Sequence, residues 1–261
     1  MSPASSVTAP SAETRLAVRG LRMRYPNGKL ALDGVDLTVN AGELVTILGS
    51  NGSGKTTLLR CVARLLDPTE GEVRVGGQDL AKLSGAALRE ARLALAMVFQ
   101  RANLVRRRSV LANVASGTLG RHRSWWTAFG GLPAEELPLA HEMLRRVGVE
   151  HLGPQRADTL SGGQAQRAAI ARALAQHPRL ILADEPVASL DPEAAEEIMQ
   201  LLRQVAVESG QAVLVVLHQP ALALRYSHRV VGLRDGVVAF DLPASLCADR
   251  QIALLYKDQA A

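Results

Sequence analysis

The sequence contains few aromatic residues, few cysteines and no long uninterrupted apolar segment. Aromatic residues make up 3% of the 261 positions while hydrophobic residues make up 48%, so the core must be mainly aliphatic. The two cysteines, Cys61 and Cys247, lie far apart without metal-ligand spacing, which argues against a metal motif and favours a reducing compartment. No apolar run approaches the ~20 residues needed to cross a bilayer, and no secretory segment is visible at the N-terminus. We therefore expect a soluble, intracellular chain, unless a partner holds it at a membrane.

The charge balance is mildly basic, with a formal net charge of +5. This permits contact with nucleotides, nucleic acid or an anionic membrane, but it requires none of them. We interpret it as a solvated basic surface.

Residues 49–57 read GSNGSGKTT, which fits the pattern G-x-x-x-x-G-K-[ST] of a phosphate-binding loop. Glycines let backbone N–H groups close around phosphate oxygens, and the following helix directs its positive end at the same anion. Lys55 is expected to reach the β- and γ-phosphates, and the Thr56 hydroxyl to hold Mg²⁺. A strand-like run, 43–48, precedes the loop and a helix-like run, 56–66, follows it, as the motif requires. The predicted nucleotide-binding residues here are Gly49, Ser50, Asn51, Gly52, Ser53, Gly54, Lys55, Thr56 and Thr57.

Four apolar runs share one property, which is that each ends at polar residues. They are 44–48, which enters the phosphate loop, 93–99, which ends at Gln100, 180–183, which ends at Asp184 and Glu185, and 213–217, which ends at His218. Apolar strands alternating with helices predict an α/β fold whose parallel sheet is covered on both faces. Ligands bind outside the carboxyl ends of such strands, so these side chains should converge on one nucleotide.

Each of these polar side chains has a task in phosphoryl transfer, where catalysis depends on positioning and charge stabilisation. Asp184 would hold Mg²⁺ directly or through water, and Glu185 would activate the attacking water as general base. Gln100 would sense the metal and the γ-phosphate. His218 would hydrogen-bond the γ-phosphate and the water. Taken singly, each could be only a polar strand terminus; their order around a phosphate loop favours the catalytic interpretation.

Residues 160–164 read LSGGQ and open a helix predicted to run to about Gln176. Ser161 and Gln164 fit a capping box. Capping does not explain Gly162 and Gly163, since glycine in a helix costs roughly 0.5–1 kcal/mol relative to alanine. The repeated glycine instead indicates that an anion approaches this helix N-terminus closely.

Other segments set the domain organisation. Residues 1–14 are rich in Ser, Ala and Pro and predict a disordered tail. The stretch 101–160 is predicted to be a helical insertion, with a helix over 134–147. Asp191 followed by Pro192 predicts a helix start. The last ~20 residues are expected to be helical, without evident chemistry. Tyr25, upstream of the phosphate loop, could stack on a base, although packing is the commoner role of a lone tyrosine.

Over about residues 15–245 the chain resembles the ATP-binding subunit of ABC transporters. The ordered set GSNGSGKTT, Gln100, LSGGQ, LILADEP, Ser189-Leu190-Asp191 and His218 carries the resemblance. The resemblance implies a P-loop NTPase fold, with a RecA-like core built on a parallel sheet, an antiparallel β subdomain and an inserted helical subdomain. It also implies ATP and Mg²⁺ as cofactors and a C-terminal extension over 246–261.

The resemblance further implies a head-to-tail dimer that sandwiches two ATP molecules. Ser161, Gly162 and Gly163 of one copy, with Gln164 beside them, would contact the γ-phosphate held by the other copy. Asp191 would lie at the dimer seam, and Tyr25 would stack on adenine. One chain holds one cassette, so it must self-associate or pair with a similar chain.

A narrower resemblance is to the phosphonate-import ATPase family, in ADEPVASLDP (183–192), VLHQ (216–219), ALRYSHRVVGLRDG (223–236) and the stretch 113–130. It implies integral-membrane permease subunits, an extracytoplasmic substrate-binding protein, a peripheral place on the cytoplasmic face of the membrane and no nucleic-acid partner. The stretch 100–110 contains more arginine than the family pattern. It lies just past Gln100, where ABC ATPases meet their membrane partner, so this difference concerns the identity of the permease. The arginines of this region, together with Trp125 and Trp126, form either a surface that docks the permease or an ordinary solvated lobe.

Three alternatives remain at this stage. The cargo could be phosphite, phosphate or another oxyanion, since no residue here touches it. A soluble ABC ATPase of DNA repair or translation usually carries two cassettes or a coiled-coil insertion, and this chain has neither. A P-loop kinase would not need LSGGQ.

Overall fold

A computed structural model of the protein describes residues 13–122 and 133–256. Within them the β-strands are β1 (Thr14–Arg24), β2 (Leu30–Asn40), β3 (Leu44–Leu48), β4 (Glu70–Val75), β5 (Gln78–Asp79), β6 (Leu95–Val98), β7 (Leu180–Asp184), β8 (Ala212–Val216), β9 (Arg229–Arg234) and β10 (Val237–Pro243). The α-helices are α1 (Lys55–Val62), α2 (Gly85–Ala91), α3 (Val110–Ala115), α4 (Leu137–Arg146), α5 (Gly162–Ala175), α6 (Pro192–Ser209), α7 (Pro220–Tyr226) and α8 (Asp249–Leu254).

The central sheet has six strands in the order β10-β9-β3-β8-β7-β6. The strands β6, β7, β8, β3 and β9 run parallel to one another, and β10 pairs antiparallel with β9. All five residues of β3 and of β8 are buried, because both faces of the sheet are covered. The parallel sheet predicted from the apolar runs is therefore confirmed, and all its parallel strands end at one edge.

A second, antiparallel sheet has four strands in the order β2-β1-β4-β5. Along β1 and β2 buried and exposed residues largely alternate, as expected for a sheet with one face on the core. That core lies between this sheet and the central one. It contains Leu58 and Leu59 of α1, together with apolar residues of β1, β2, β3 and β8.

The opposite face of the central sheet is covered by α5, α6 and α7, which contribute to a second apolar core. The helices α3 and α4 pack on α5 and extend this core. The described elements between residues 101 and 160 are helices and 3-10 turns. Trp125 and Trp126 lie outside the described residues.

Most predicted boundaries agree with the structure to within a few residues, but two predicted helical stretches are shorter than expected. The C-terminal residues are predicted to be helical, yet β10 extends to Pro243 and only Asp249–Leu254 form an α-helix in the part of this stretch that is described. The helix expected over 56–66 begins at Lys55 and ends at Val62. Two residues later Arg64 has a left-handed φ of 54°. This backbone conformation is incompatible with a continuing α-helix, and the Arg64 guanidinium donates to the carbonyl of Leu80 at 2.8 Å. The strands β9 and β10 form a hairpin with Asp235 and Gly236 in its turn.

No helix in the described parts of the chain combines the length and the apolarity that spanning a bilayer requires.

Candidate nucleotide site

The phosphate loop connects β3 to α1 and depends on glycine at two positions. A Cβ on Gly49 would lie 2.2 Å from the backbone oxygen of Leu233, and a Cβ on Gly54 would lie 2.6 Å from that of Ala31. Gly54 also has a φ of 104°, which disfavours any side chain. The glycines predicted from the motif therefore allow neighbouring backbone to press against the loop.

Lys55 is buried and points its ammonium group into the loop. Its Nζ donates to the carbonyl oxygens of Gly49, at 2.8 Å, and Ser50, at 2.9 Å. Burial lowers the pKa of Lys55, while the nearby carboxylates of Glu185 and Asp184 oppose that shift. A partly desolvated cation held only by carbonyls is well placed to transfer to a phosphate oxygen.

The hydroxyl oxygen of Ser53 is buried in the same loop and has no hydrogen-bond partner among the described residues. It lies near Gly49, on the side where the Leu233 backbone approaches, and does not line the cleft that Lys55 lines. The glycine-lined loop and the ammonium group of Lys55 are the features that fit a phosphate chain.

Thr56 and Asp184 form a pair at the base of the site. The Thr56 hydroxyl donates to Oδ1 of Asp184, with 3.1 Å between the oxygens. Burial raises the pKa of Asp184, and the bond from Thr56 opposes the rise. A hydroxyl and a carboxylate in contact are oxygen donors of the kind that Mg²⁺ prefers. The chemistry of these two side chains therefore fits the predicted metal.

The side chains of Glu185 and His218 contact each other, although Glu185 follows β7 and His218 follows β8. His218 Nε2 is 2.6 Å from Oε1 of Glu185. Glu185 has a left-handed φ of 51°, which is uncommon for a residue with a side chain, and its backbone N–H donates to Val216 at 3.2 Å. Because of this backbone conformation, the side chain of Glu185 points in a different direction from that of Asp184, the residue before it.

One cleft of about 250 Å³ is lined by Lys55, Thr56, Glu185 and His218. Tyr25 lies on its wall, with its hydroxyl 3.1 Å from that of Thr57. Lys29 also lines this cleft, and the sequence analysis did not identify it. A cation beside the phosphate loop has no pattern of its own in the sequence, so only the fold reveals it.

Gln100 is exposed, two residues beyond the end of β6, and it does not line this cleft. The backbone on either side is pinned by α5, because Gln166 Nε2 donates to the Phe99 carbonyl at 3.1 Å. From the same helix, Arg172 donates to the carbonyls of Ala102 and Asn103 at 2.9 and 2.8 Å. The sequence analysis missed both side chains; a polar residue on the buried face of a helix is the signal that could have revealed Gln166.

The LSGGQ segment lies apart from the phosphate loop and lines a different cleft, of about 450 Å³. The predicted capping box is confirmed, with Gln164 N donating to Ser161 Oγ at 3.3 Å and Ser161 N donating to Gln164 Oε1 at 3.0 Å. Asp191 caps α6 by accepting from Ala194 N at 2.9 Å. The predicted site residues lining this cleft are Ser161, Gly162, Gly163, Gln164 and Asp191.

The two clefts have no lining residue in common. One chain therefore presents the phosphate loop with Glu185 and His218 in one cleft and a glycine-rich helix start in another. The second cleft is kept in shape by Arg167, which donates to Val147 O at 2.8 Å and to Glu197 Oε2 at 2.9 Å. The fold and these two surfaces define an ATP-binding cassette.

Comparisons with known proteins agree with that class. The family described as ABC transporter matches residues 32–188. The phosphonates import ATP-binding protein PhnC 1 of Rhodopseudomonas palustris is 43% identical over 244 residues, covering 94% of this chain and 87% of the relative. The corresponding PhnC of Staphylococcus aureus strain MRSA252 is 46% identical over 232 residues, covering 89% and 90%. The chain belongs to the ABC transporter family and, within it, to the family of phosphonates import ATP-binding proteins.

Solved structures support the same assignment. A dimeric ATP-binding cassette in a post-hydrolysis state, bound to ADP and Pi, matches with a TM-score of 0.76 and 35% identity, over 88% of this chain and 98% of that one. The cbiO1 protein of Clostridium perfringens, part of the ABC transporter complex cbiONQ, matches with a TM-score of 0.80 and 28% identity, over 95% and 96%.

Proposed function

We propose that this chain is the ATP-hydrolysing subunit of an ABC importer for phosphonates, and that it drives a separate permease. The observation that carries the ATPase part is the Glu185–His218 pair, 2.6 Å apart, in the same cleft as Lys55 and Thr56. The relatives named for phosphonates import, at 43–46% identity over most of the chain, support the cargo.

The phosphate loop binds ATP through its backbone N–H groups and the N-terminus of α1. Lys55 exchanges the carbonyls of Gly49 and Ser50 for the β- and γ-phosphates. The Thr56 hydroxyl and Asp184 would hold Mg²⁺, which would supply positive charge to the phosphates. Tyr25 lies on the cleft wall where the base leaves the loop, and it stacks on adenine.

Hydrolysis needs a base beside the γ-phosphate. Glu185 accepts a proton from the attacking water, and its fixed left-handed backbone aims the carboxylate into the cleft. His218 contacts that carboxylate through Nε2 and would hydrogen-bond the γ-phosphate. Gln100 would sense the metal and the γ-phosphate.

Two copies complete each other's sites in a head-to-tail dimer. The LSGGQ cleft of one copy covers the phosphate loop of the other, so that Ser161, Gly162 and Gly163 contact the γ-phosphate there. Gln164 fixes the helix start through the capping box, and Asp191 lies at the seam. The separation of the two clefts in one chain supports this arrangement, and an anion at a helix N-terminus is stabilised by its dipole.

The dimer acts as a peripheral subunit on the cytoplasmic face of the membrane. Closure on ATP moves integral-membrane permease subunits, hydrolysis resets them, and an extracytoplasmic substrate-binding protein delivers the phosphonate. The basic stretch 100–110, pinned by Gln166 and Arg172, faces the permease.

The proposal is tested with the chain assembled with its permease and binding protein in vesicles. We expect phosphonates to raise ATP turnover several-fold above the unliganded rate, whereas phosphite and phosphate leave it unchanged. Stimulation by phosphite or phosphate instead would move the cargo to another oxyanion. Turnover that responds to none of the three would contradict the importer assignment.

A further inference from the structure

The turn between β9 and β10 presses on the back of the phosphate loop. The N–H of Gly236 donates to the Ser53 carbonyl at 3.0 Å, and the carbonyl of Gly236 accepts from Asp33 N at 2.9 Å. Just before the turn, the backbone oxygen of Leu233 approaches Gly49 so closely that a Cβ on Gly49 would be only 2.2 Å from it. The conformation of the loop is therefore tied to the position of this turn.

The C-terminal segment, residues 249–256, is attached to the same turn. Arg234, at the end of β9, donates from Nη1 to the Leu254 carbonyl at 3.2 Å. Leu255 is 2% exposed and belongs to the apolar core that also contains Leu48, the residue before the phosphate loop. Tyr256 packs against that core as well. The segment thus reaches the root of the loop from the face opposite α1.

The hydroxyl of Tyr256 is buried and makes no hydrogen bond within the described parts of the chain. Tyr256 packs against the core that contains Leu48, the residue before Gly49, and follows the buried Leu255. Burial raises the pKa of Tyr256, and the backbone N–H of Gly49 opposes that rise. A buried phenolic oxygen close to a backbone N–H can accept a hydrogen bond from it after a small movement.

Gly49 has a different neighbour at each end of its backbone. Its carbonyl accepts from Lys55 at 2.8 Å, and the unpartnered Tyr256 hydroxyl is the group available to its N–H. When Lys55 leaves this carbonyl for the phosphates of a nucleotide, Gly49 loses a hydrogen bond. A bond between its N–H and the Tyr256 hydroxyl is then the contact that can replace it.

We propose that Tyr256 is a positioning residue for the phosphate loop, with its hydroxyl accepting the N–H of Gly49 in the nucleotide-bound state. The C-terminal segment then sets nucleotide affinity without touching the nucleotide. This inference rests on nucleotide binding by the loop, as proposed above, and is independent of the transported substrate.

The test is Tyr256→Phe, which removes one oxygen and keeps the ring that packs in the core. The loss of one hydrogen bond to the bound loop should raise the Kd for ADP and the KM for ATP about fivefold, with kcat within about twofold. Hydrogen exchange of the backbone amides in residues 44–58, measured with ADP bound, should become faster. The Kd is measured by titrating the full chain with a fluorescent nucleotide. The wild-type protein is titrated first, because this shows whether the loop binds nucleotide at all.

Tyr226→Phe is the matched control, because it also removes a phenolic hydroxyl from a buried ring. That hydroxyl donates to Oε2 of Glu196 at 3.2 Å, between α7 and α6, away from the phosphate loop. It should lower thermal stability without changing Kd. If Tyr256→Phe likewise lowers only the thermal stability and leaves Kd and amide exchange at the wild-type values, Tyr256 is a packing residue and the inference fails.

Discussion

Replacing Glu185 with glutamine should lower ATP turnover by roughly 10²–10⁴-fold, the usual contribution of a general base. The amide has almost the same shape as the carboxylate but cannot accept the proton of the attacking water. Because Glu185 does not bind the phosphates, the variant should still bind ATP and accumulate as the ATP-dependent dimer. Steady-state phosphate release gives the rate, and light scattering with and without ATP gives the dimer.

Glu208→Gln is the control for this substitution. Glu208 is exposed near the end of α6, where it accepts a 3.0 Å bond from Gln204, and it has no place in the site. It should leave turnover unchanged. A Glu185→Gln protein that hydrolyses ATP near the wild-type rate would remove Glu185 from the role of base.

Ser161→Arg should abolish ATP-dependent dimerisation, and turnover with it. The substitution places a long cation at the helix start that must approach the γ-phosphate held by the other copy. It also removes the Oγ that caps α5, which costs about 1 kcal/mol of stability. Nucleotide binding to the isolated chain should persist, because the phosphate loop lies in the other cleft. Light scattering and ADP titration separate the two properties.

Ser109→Arg separates the loss of a cap from the loss of the dimer surface. Ser109 caps α3 in the same way, accepting from Ala112 N at 3.1 Å, and it lies outside both clefts. It should cost similar stability and leave dimerisation intact. Normal ATP-dependent dimerisation of Ser161→Arg would refute the contact across the dimer.

The parts of the site that could be predicted are those encoded over short stretches of chain. The phosphate loop needs glycines and a lysine at fixed spacing, and the capping box needs Ser161 and Gln164 three residues apart. The convergence of Asp184, Glu185 and His218 also followed, because parallel strands place their carboxyl ends at one edge. That Glu185 contacts His218 directly depends on a backbone conformation that no sequence pattern specifies.

The parts that could not be predicted depend on packing between distant segments. Gln166 and Arg172 bind carbonyls about seventy residues away, and nothing local in α5 indicates those partners. Lys29 and Tyr256 likewise gain meaning only from what the fold places beside them. Gln100 is exposed outside the cleft, because the course of the chain after β6 depends on the contacts that Gln166 and Arg172 make with it.

The two clefts share no lining residue, so a substitution in one cleft leaves the other cleft of the same chain unchanged. A Glu185→Gln chain keeps its glycine-rich helix start, and a Ser161→Arg chain keeps its base. In a mixed pair, one site receives both intact halves while the other receives both defects. A pair of Ser161→Arg chains carries the blocking cation at both sites, whereas a mixed pair carries it at one. Mixing the two inactive proteins should therefore restore ATP turnover in part, to a level well below that of the wild type.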